Sequence, residues 1–340
     1  MPSPVAAHPL REDPDKKAVA SSGGSSWAQD PWIRRRLLEF LGGTKLGDVS
    51  ALYLQSGVEG TEGGLKVAPA RRLREFLNSG GEIQRSLWDR RSLVVDLDIE
   101  HINFDVPAEA LQAPRRTWML LEPVLEVARR LFSDHGIPFL ELVSGRGPHF
   151  LFLVSRDSSA FRQLAALGQV SPGLAERSSR PQPPENRPVE AELTAAFAGL
   201  GKLMEFVAQV IKVDASPRSS LPLEVTEVLA GPGLQGREIV SIDISEYGDP
   251  LATRAVRAPF SPYLKPYLAP GRYGEAVLAS LPDLHVIPRH DLGTEEAIEV
   301  MRSPELTARL ARRASAVIPD ASEGVGSLIS AYLASDLAAF

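Results

Sequence analysis

Residues 92–101, Ser-Leu-Val-Val-Asp-Leu-Asp-Ile-Glu-His, alternate apolar and acidic side chains from Val95 to Glu100. Side chains of a β-strand point in turn to its two faces, so this alternation predicts a strand. Asp96, Asp98 and Glu100 would project from one face, and the other face would carry apolar side chains, namely Leu93, Val95, Leu97 and Ile99. The sequence therefore predicts a sheet with one acidic face and one apolar face.

The three carboxylates of this strand repel one another and gain nothing from an apolar core. A divalent cation between them removes that cost, and oxygen-rich sites of this kind suit Mg²⁺ or Mn²⁺. The alternative is a half-exposed strand whose polar face binds no metal.

The composition is that of a soluble globular protein, with 340 residues, 44% hydrophobic and 24% charged. This length suits one large domain or two modest ones. The chain has no cysteine, which excludes disulfides, thiol catalysis and zinc sites built on thiolates. The net charge of −6 argues weakly against a protein that coats duplex DNA, but it leaves room for a local basic groove.

No apolar run approaches the length that spans a membrane, and the N-terminal residues lack the basic and apolar regions of a signal peptide. We therefore expect a cytoplasmic protein with no membrane partner.

Composition and periodicity divide the chain into four parts. Residues 1–25 are rich in Pro, Ser, Gly and charge, which predicts a disordered tail. An N-terminal helical portion is expected at 26–85, and a mostly helical C-terminal portion at 271–340. Residues 86–270 between them are expected to form the α+β domain, in which the Pro-rich residues 171–188 are a long exposed loop or insert.

Two further segments of this domain carry chemistry. Residues 144–149, Ser-Gly-Arg-Gly-Pro-His, predict a turn between two strands that brings a hydroxyl, a guanidinium and an imidazole together, beside glycines that let amides approach an anion. The alternative without a functional role is a hairpin turn with a half-buried histidine. A strand ends at Asp243, and the donors Arg254, Arg257, Ser261 and Lys265 follow it; the bland alternative here is a surface loop.

The order of the three segments resembles the archaeo-eukaryotic primase superfamily, which includes the small catalytic subunit of primases and the PrimPol enzymes. That family carries an Asp-x-Asp/Glu strand, a Ser-x-His type turn, and an apolar-Asp strand followed by an Arg-x-Pro-x-Ser loop. The matching residues here are Val95 to Asp98, Ser144 to His149, and Ile242-Asp243 with Arg257 to Ser261. The resemblance covers roughly residues 90–268 and implies an α+β primase-polymerase palm, an RRM-like mixed or antiparallel sheet flanked by helices.

The resemblance implies a template-dependent nucleotidyltransferase, a DNA primase or primase-polymerase, that joins NTPs or dNTPs on single-stranded DNA or RNA. Asp96, Asp98 and Asp243 would be catalytic and would hold two divalent ions, Mg²⁺ or Mn²⁺. A set of hydrogen-bond donors would bind the incoming triphosphate: Ser144, Arg146, His149, Arg257, Ser261 and Lys265. The resemblance does not distinguish the template type, the sugar of the nucleotide, or de novo priming from primer extension.

This assignment makes a geometric prediction, because Asp98 and Asp243 are far apart in sequence. Their strands must be neighbours in one sheet, with the carboxylates of Asp96, Asp98 and Asp243 on one face and within metal-bridging reach. His149 and Arg257 should face the same cleft. Glu100 should lie at the edge of the metal site or outside it.

Two features depart from the family pattern. The family often has Leu-His after the serine of the third segment, where this chain has Pro262-Tyr263. A tyrosine cannot carry imidazolium charge, so binding of the triphosphate is expected to be weaker or altered. The cysteine-rich zinc element of many members is also absent.

Two other functions compete with this interpretation. One is a catalytically silent primase-like module that binds nucleic acid or nucleotide within a larger bacterial assembly; the acidic net charge and Tyr263 favour it, and the complete carboxylate set argues against it. The other is a different two-metal phosphotransfer enzyme, such as a nucleotide cyclase or a nuclease. A nuclease needs no triphosphate pocket, so Arg146, His149 and Arg257 argue against that alternative.

Overall fold

A computed structural model describes residues 27–56, 66–226, 237–268 and 273–339. The predicted tail at 1–25 lies outside these residues. The described chain combines helices with two sheets, which confirms the predicted α+β class. The predicted division into four parts stays a prediction.

The described strands form a six-stranded and a four-stranded sheet. Their bounds are β1 (Tyr53–Ser56), β2 (Lys66–Pro69), β3 (Gln84–Ser86), β4 (Ser92–Asn103), β5 (Leu140–Val143), β6 (Pro148–Ser155), β7 (Leu223–Val225), β8 (Glu238–Asp243), β9 (Ala255–Arg257) and β10 (Ile287–Pro288).

The described helices are spread over the described ranges. They are α1 (Pro31–Phe40), α2 (Leu73–Ser79), α3 (Glu109–Gln112), α4 (Pro114–Asp134), α5 (Ser159–Leu167), α6 (Pro172–Ser179), α7 (Ala191–Ala215), α8 (Lys265–Leu268), α9 (Glu275–Ser280), α10 (Thr294–Met301), α11 (Pro304–Arg313) and α12 (Ser322–Leu333).

The six-stranded sheet has the order β10-β5-β6-β4-β8-β7 and is antiparallel except at the β7–β8 pair. The alternation of β4 sorts its side chains as predicted, with Leu93, Val95, Leu97 and Ile99 fully buried on one face. His101 belongs to that face, and its Nδ1 lies 3.4 Å from the hydroxyl of Thr117 on α4. The apolar face therefore packs on helices, and the acidic face is turned away from α4.

The four-stranded sheet, with the order β2-β1-β3-β9, differs from the sequence prediction. Residues 26–85 were expected to be helical, and α1 and α2 lie there, but so do β1, β2 and β3. These strands have three or four residues each, too few for a period-two pattern to emerge. Their sheet is completed by β9, which pairs with β3 across a long sequence separation.

The segment 171–188 also differs from the expected loop. Helix α6 begins at Pro172, and the Ser171 hydroxyl caps it by accepting a hydrogen bond from the Leu174 N–H at 3.3 Å. Serine before proline is a helix start signal. The many prolines further along the segment indicated a loop instead. Most of the segment is exposed, as expected.

Of the described helices, α7 is long and apolar enough to cross a membrane by length and composition, whereas no such run was expected from the sequence. Its side chains Leu193, Phe197, Leu200 and Leu203 are all buried in the hydrophobic core. Core packing accounts for the apolar character of this helix.

Candidate active site

Three residues from distant segments lie side by side on the six-stranded sheet. The register places Asp98 of β4 opposite His149 of β6 on one side and opposite Asp243 of β8 on the other. Directly opposed residues of antiparallel strands share a face. The prediction that the strands of Asp98 and Asp243 are neighbours with both carboxylates on one face is confirmed.

The imidazole of His149 lies against the carboxylates of β4. Its Nδ1 is 3.2 Å from both carboxylate oxygens of Asp96, and its Nε2 is 3.9 Å from Oδ1 of Asp98. Burial alone would lower the pKa of His149, but the negative charges of Asp98 and Asp96 outweigh it and raise the pKa to about 9. A protonated imidazole therefore faces Asp96 and Asp98 at neutral pH.

The Asp98 carboxyl group is hard to ionise. Its side chain is 19% exposed, and its Oδ1 is buried with no hydrogen-bond partner among the residues described. Burial, followed by the negative charge of Glu100, raises the pKa of Asp98 to about 8. An unpartnered hard oxygen in a negative environment fits a divalent cation, and Asp96 and Asp243 offer further oxygens on the same face.

The acidic face does not gather its carboxylates tightly. In the described ranges, one group of three acidic or histidine side chains has ligand atoms that all lie within 4.8 Å of one another: His101, Glu109 and Glu238. It lies on the opposite face of β4, and the Arg116 guanidinium joins its two glutamates, at 2.5 Å from Glu109 and 2.8 Å from Glu238. Arginine already supplies the positive charge there. A metal ion therefore fits the acidic face better, although its three aspartates are further apart than that group.

The turn between β5 and β6 closes on itself and packs on β4. The Ser144 hydroxyl donates to the carbonyl oxygen of Gly147 at 2.9 Å, and Arg146 accepts from the His101 N–H at 3.1 Å. A Cβ at Gly147 would lie 1.9 Å from the Ile99 oxygen. The glycine therefore allows contact between β4 and the turn, whereas the sequence suggested contact with an anion.

Arg146 projects from this turn into the acidic face and meets Glu100. Its Nη2 is 2.5 Å from Glu100 Oε2, and Lys265 at the start of α8 places its Nζ 3.1 Å from Glu100 Oε1. Glu100 thus connects two of the cations predicted for the triphosphate. Its expected position at the edge of the metal site or outside it stays a prediction.

Arg257, at the end of β9, enters the cleft from the four-stranded sheet. Its Nε is 3.2 Å from Oε1 of the fully buried Glu82, and its guanidinium lies 5.2 Å from the centre of the Tyr263 ring. Tyr263 in turn packs on Gly145, where a Cβ would come within 2.3 Å of the ring. The tyrosine that replaces the family histidine therefore fills the space between Arg257 and the β5–β6 turn.

Ser261 has a different environment from the other predicted ligands. Its side chain is fully buried, and its hydroxyl accepts a hydrogen bond from the Ile83 N–H at 2.8 Å. Phe260 before it adopts a left-handed φ of +65°, which is rare for a bulky residue. The hydroxyl connects the loop to the strand region before β3, and a role in nucleotide binding stays a prediction.

Glu246 and Tyr247, just after β8, are site residues that the sequence patterns did not indicate. The Tyr247 hydroxyl donates a hydrogen bond to the backbone carbonyl oxygen of Asp96 at 2.7 Å and accepts one from the Asp96 N–H at 3.2 Å. It satisfies the β4 backbone at a position beyond the end of β8. Glu246 has a buried Oε1 that finds no hydrogen-bond partner in the described part of the chain. Burial and the charge of Asp96 raise the pKa of Glu246 well above its ordinary value. In the sequence, the one indication that Glu246 could belong to the site is its position three residues after Asp243.

Comparison with known proteins gives one structural similarity. No protein-family model and no curated protein sequence matches the chain. Among solved structures, it is similar to the polymerase domain of Ligase D from Mycobacterium tuberculosis, determined in complex with DNA. The two share 15% identity with a TM-score of 0.41, over 82% of this chain and 88% of the other.

Proposed function

We propose that this protein is a divalent-metal-dependent nucleotidyltransferase, a primase or primase-polymerase, that joins nucleoside triphosphates on a nucleic-acid template. The observation that carries the proposal is the row of Asp243, Asp98 and His149 across three neighbouring strands, with the buried Arg146 and the partly buried Arg257 beside it. Carboxylates next to fixed guanidinium groups suit a metal–triphosphate complex, because the carboxylates can hold the metal ion while the guanidinium groups bind the phosphates.

Each side chain has a distinct role in this proposal. Asp96, Asp98 and Asp243 would hold Mg²⁺ or Mn²⁺, which when bound lowers the pKa of the attacking hydroxyl and neutralises charge on the leaving pyrophosphate. Arg146 and Arg257 would bind phosphate oxygens through their guanidinium groups, which contact Glu100 and Glu82 in the absence of a ligand. Their Nε atoms are buried with no hydrogen-bond partner in the described ranges, although Arg257 keeps its ion pair with Glu82.

His149 and Tyr247 hold Asp96 in place. The imidazole contacts its carboxylate, and the phenol satisfies its backbone N–H and carbonyl. Both residues are therefore positioning residues for a metal ligand. This differs from the direct contact with triphosphate that the family resemblance implies for His149.

A second candidate is a silent primase-like module that binds nucleotide or nucleic acid without joining nucleotides. Two observations favour it. First, the predicted triphosphate ligands Arg146, Lys265 and Arg257 are each paired with a glutamate. Second, the carboxylate oxygens of the three aspartates do not all lie within 4.8 Å of one another, as the ligand atoms of His101, Glu109 and Glu238 do.

Nucleotide incorporation tests the proposal. Purified protein is incubated with single-stranded DNA or RNA, Mn²⁺ or Mg²⁺, and labelled NTPs or dNTPs, with and without a primer. Product in both cases indicates a primase, and product only with a primer indicates a polymerase. We expect no product from the Asp96→Asn/Asp98→Asn double variant and normal product from Glu238→Gln, which changes a carboxylate on the opposite face of the same strand pair.

The same assay separates the two candidates. Full activity in the double variant would contradict the assigned site. A wild-type protein that binds nucleotide but yields no product under any of these conditions would support the silent module.

A further inference from the structure

Glu100 occupies the donors that a phosphate ligand would need. Both of its carboxylate oxygens are engaged, one by Arg146 at 2.5 Å and the other by Lys265 at 3.1 Å. The Glu100 side chain is 8% exposed and that of Arg146 is 9% exposed, so water screens this pair little.

Glu100 lies between two cations that come from different segments of the chain. Arg146 belongs to the turn between β5 and β6, and Lys265 begins α8, so the carboxylate of Glu100 connects both segments to β4.

We infer that Glu100 is an internal counter-anion that sets the affinity of this site for polyphosphate, because its carboxylate holds the cations that the ligand's phosphates must contact. The inference rests on the proposed function for the identity of the ligand. A polyphosphate that enters the cleft meets the repulsion of Glu100 and competes with it for Arg146 and Lys265. Loss of this one negative charge should therefore tighten binding of a polyanion.

The opposite role is the natural alternative. Glu100 could hold Arg146 in the orientation that binds a ligand, and its loss would then weaken binding. The backbone of Arg146 is fixed independently, by the hydrogen bond from His101 and by the close contact of Gly147 with β4. This independent support favours the competing role over the positioning role.

Calorimetric titration with tripolyphosphate in the presence of EDTA tests the inference on the full chain, without metal or catalysis. Glu100→Gln keeps the shape of the side chain and removes its charge, and we expect it to bind tripolyphosphate about tenfold more tightly than the wild type, which is about 1.4 kcal/mol. Glu100→Asp keeps the charge and should not show this gain. Glu238→Gln, which loses a glutamate paired with Arg116 on the other face, should bind as the wild type does.

Unchanged or weaker binding by Glu100→Gln, or no measurable binding by either protein, would overturn the inference. A second measurement does not depend on how the variant folds. A crystal structure of the wild type with tripolyphosphate should show phosphate oxygens on Arg146 and Lys265 and a broken contact to Glu100; a retained contact would also overturn it.

The inference and the proposed function fail in different ways. Incorporation of nucleotides by the wild type, without tighter binding by Glu100→Gln, refutes only the counter-anion. Tighter binding by Glu100→Gln, without incorporation by the wild type, refutes only the polymerase.

Discussion

The substitution Asp98→Asn should stabilise the metal-free protein at alkaline pH while removing its metal site. The ordinary pKa of an aspartate, 3.8, is raised to about 8 at Asp98 by burial and by Glu100. Each pKa unit corresponds to about 1.4 kcal/mol. Ionised Asp98 therefore destabilises the folded state by up to about 6 kcal/mol, a cost that the isosteric and neutral asparagine avoids.

The sign of the pH dependence follows from the folded protein holding its proton longer than the unfolded chain. Stability is present below the unfolded pKa of 3.8 and is lost as the pH rises through about 8. His149 acts in the same direction, because its raised pKa contributes stability below 6.5 that is lost as the pH passes about 9. The advantage of Asp98→Asn in the free energy of unfolding should grow by about 4 kcal/mol between about pH 5 and pH 8.

Urea denaturation in EDTA at several pH values measures this difference. Mn²⁺ at about 100 times its Kd should then stabilise the wild type by about 2.7 kcal/mol and leave the variant unchanged. The difference in the free energy of unfolding between the two proteins should therefore narrow or change sign. Parallel pH profiles of the two proteins in EDTA would refute the environment described for Asp98. Equal stabilisation of both by Mn²⁺ would refute its role as a metal ligand.

Three further substitutions and one control test the framework of the site. Asp89→Ala leaves Arg85, whose side chain is 1% exposed, without its 2.5 Å ion-pair partner, and chemical denaturation should show a loss of about 3–5 kcal/mol; Glu75→Ala, the control in an exposed pair, should leave stability nearly unchanged. Tyr247→Phe removes the hydroxyl that pairs with the backbone of Asp96, so we expect a loss of about 1–3 kcal/mol together with lower nucleotide incorporation; activity and stability equal to the wild type would contradict the positioning role. Gly147→Ala should lower stability by at least about 1–3 kcal/mol, because its Cβ would lie 1.9 Å from a backbone oxygen of β4, and an unchanged melting temperature would show that the turn is not held against β4.

The long elements of the fold were predictable because their side-chain periods repeat over many residues. β4 runs for twelve residues and alternates from Val95 to Glu100, and α4 and α7 run for 21 and 25 residues. The strands β1, β2, β3 and β9 could not be predicted in this way, since three or four residues show no period. Their pairing also depends on partners far along the chain.

The residues that form the candidate site could be predicted from the sequence, but the atoms that each of them contacts could not. Motif order suggested that Asp98, His149 and Asp243 converge, and strand register brings them together. A sequence does not say whether a serine hydroxyl faces a ligand or a backbone amide, and Ser261 faces the Ile83 N–H. Glu82 carries no motif at all, because its role follows from its contact with Arg257 across the four-stranded sheet.

The pairing of Arg257 with Glu82 and Tyr263 has a consequence for the entropy of ligand binding. An arginine side chain that becomes ordered only on contact with its ligand loses rotamer freedom at that moment, which weakens binding by about 0.5–1.5 kcal/mol. Here the guanidinium is already confined between a buried carboxylate and an aromatic ring. Its disorder is therefore lost when the chain folds, and a phosphate that enters the cleft meets a donor whose direction is already set.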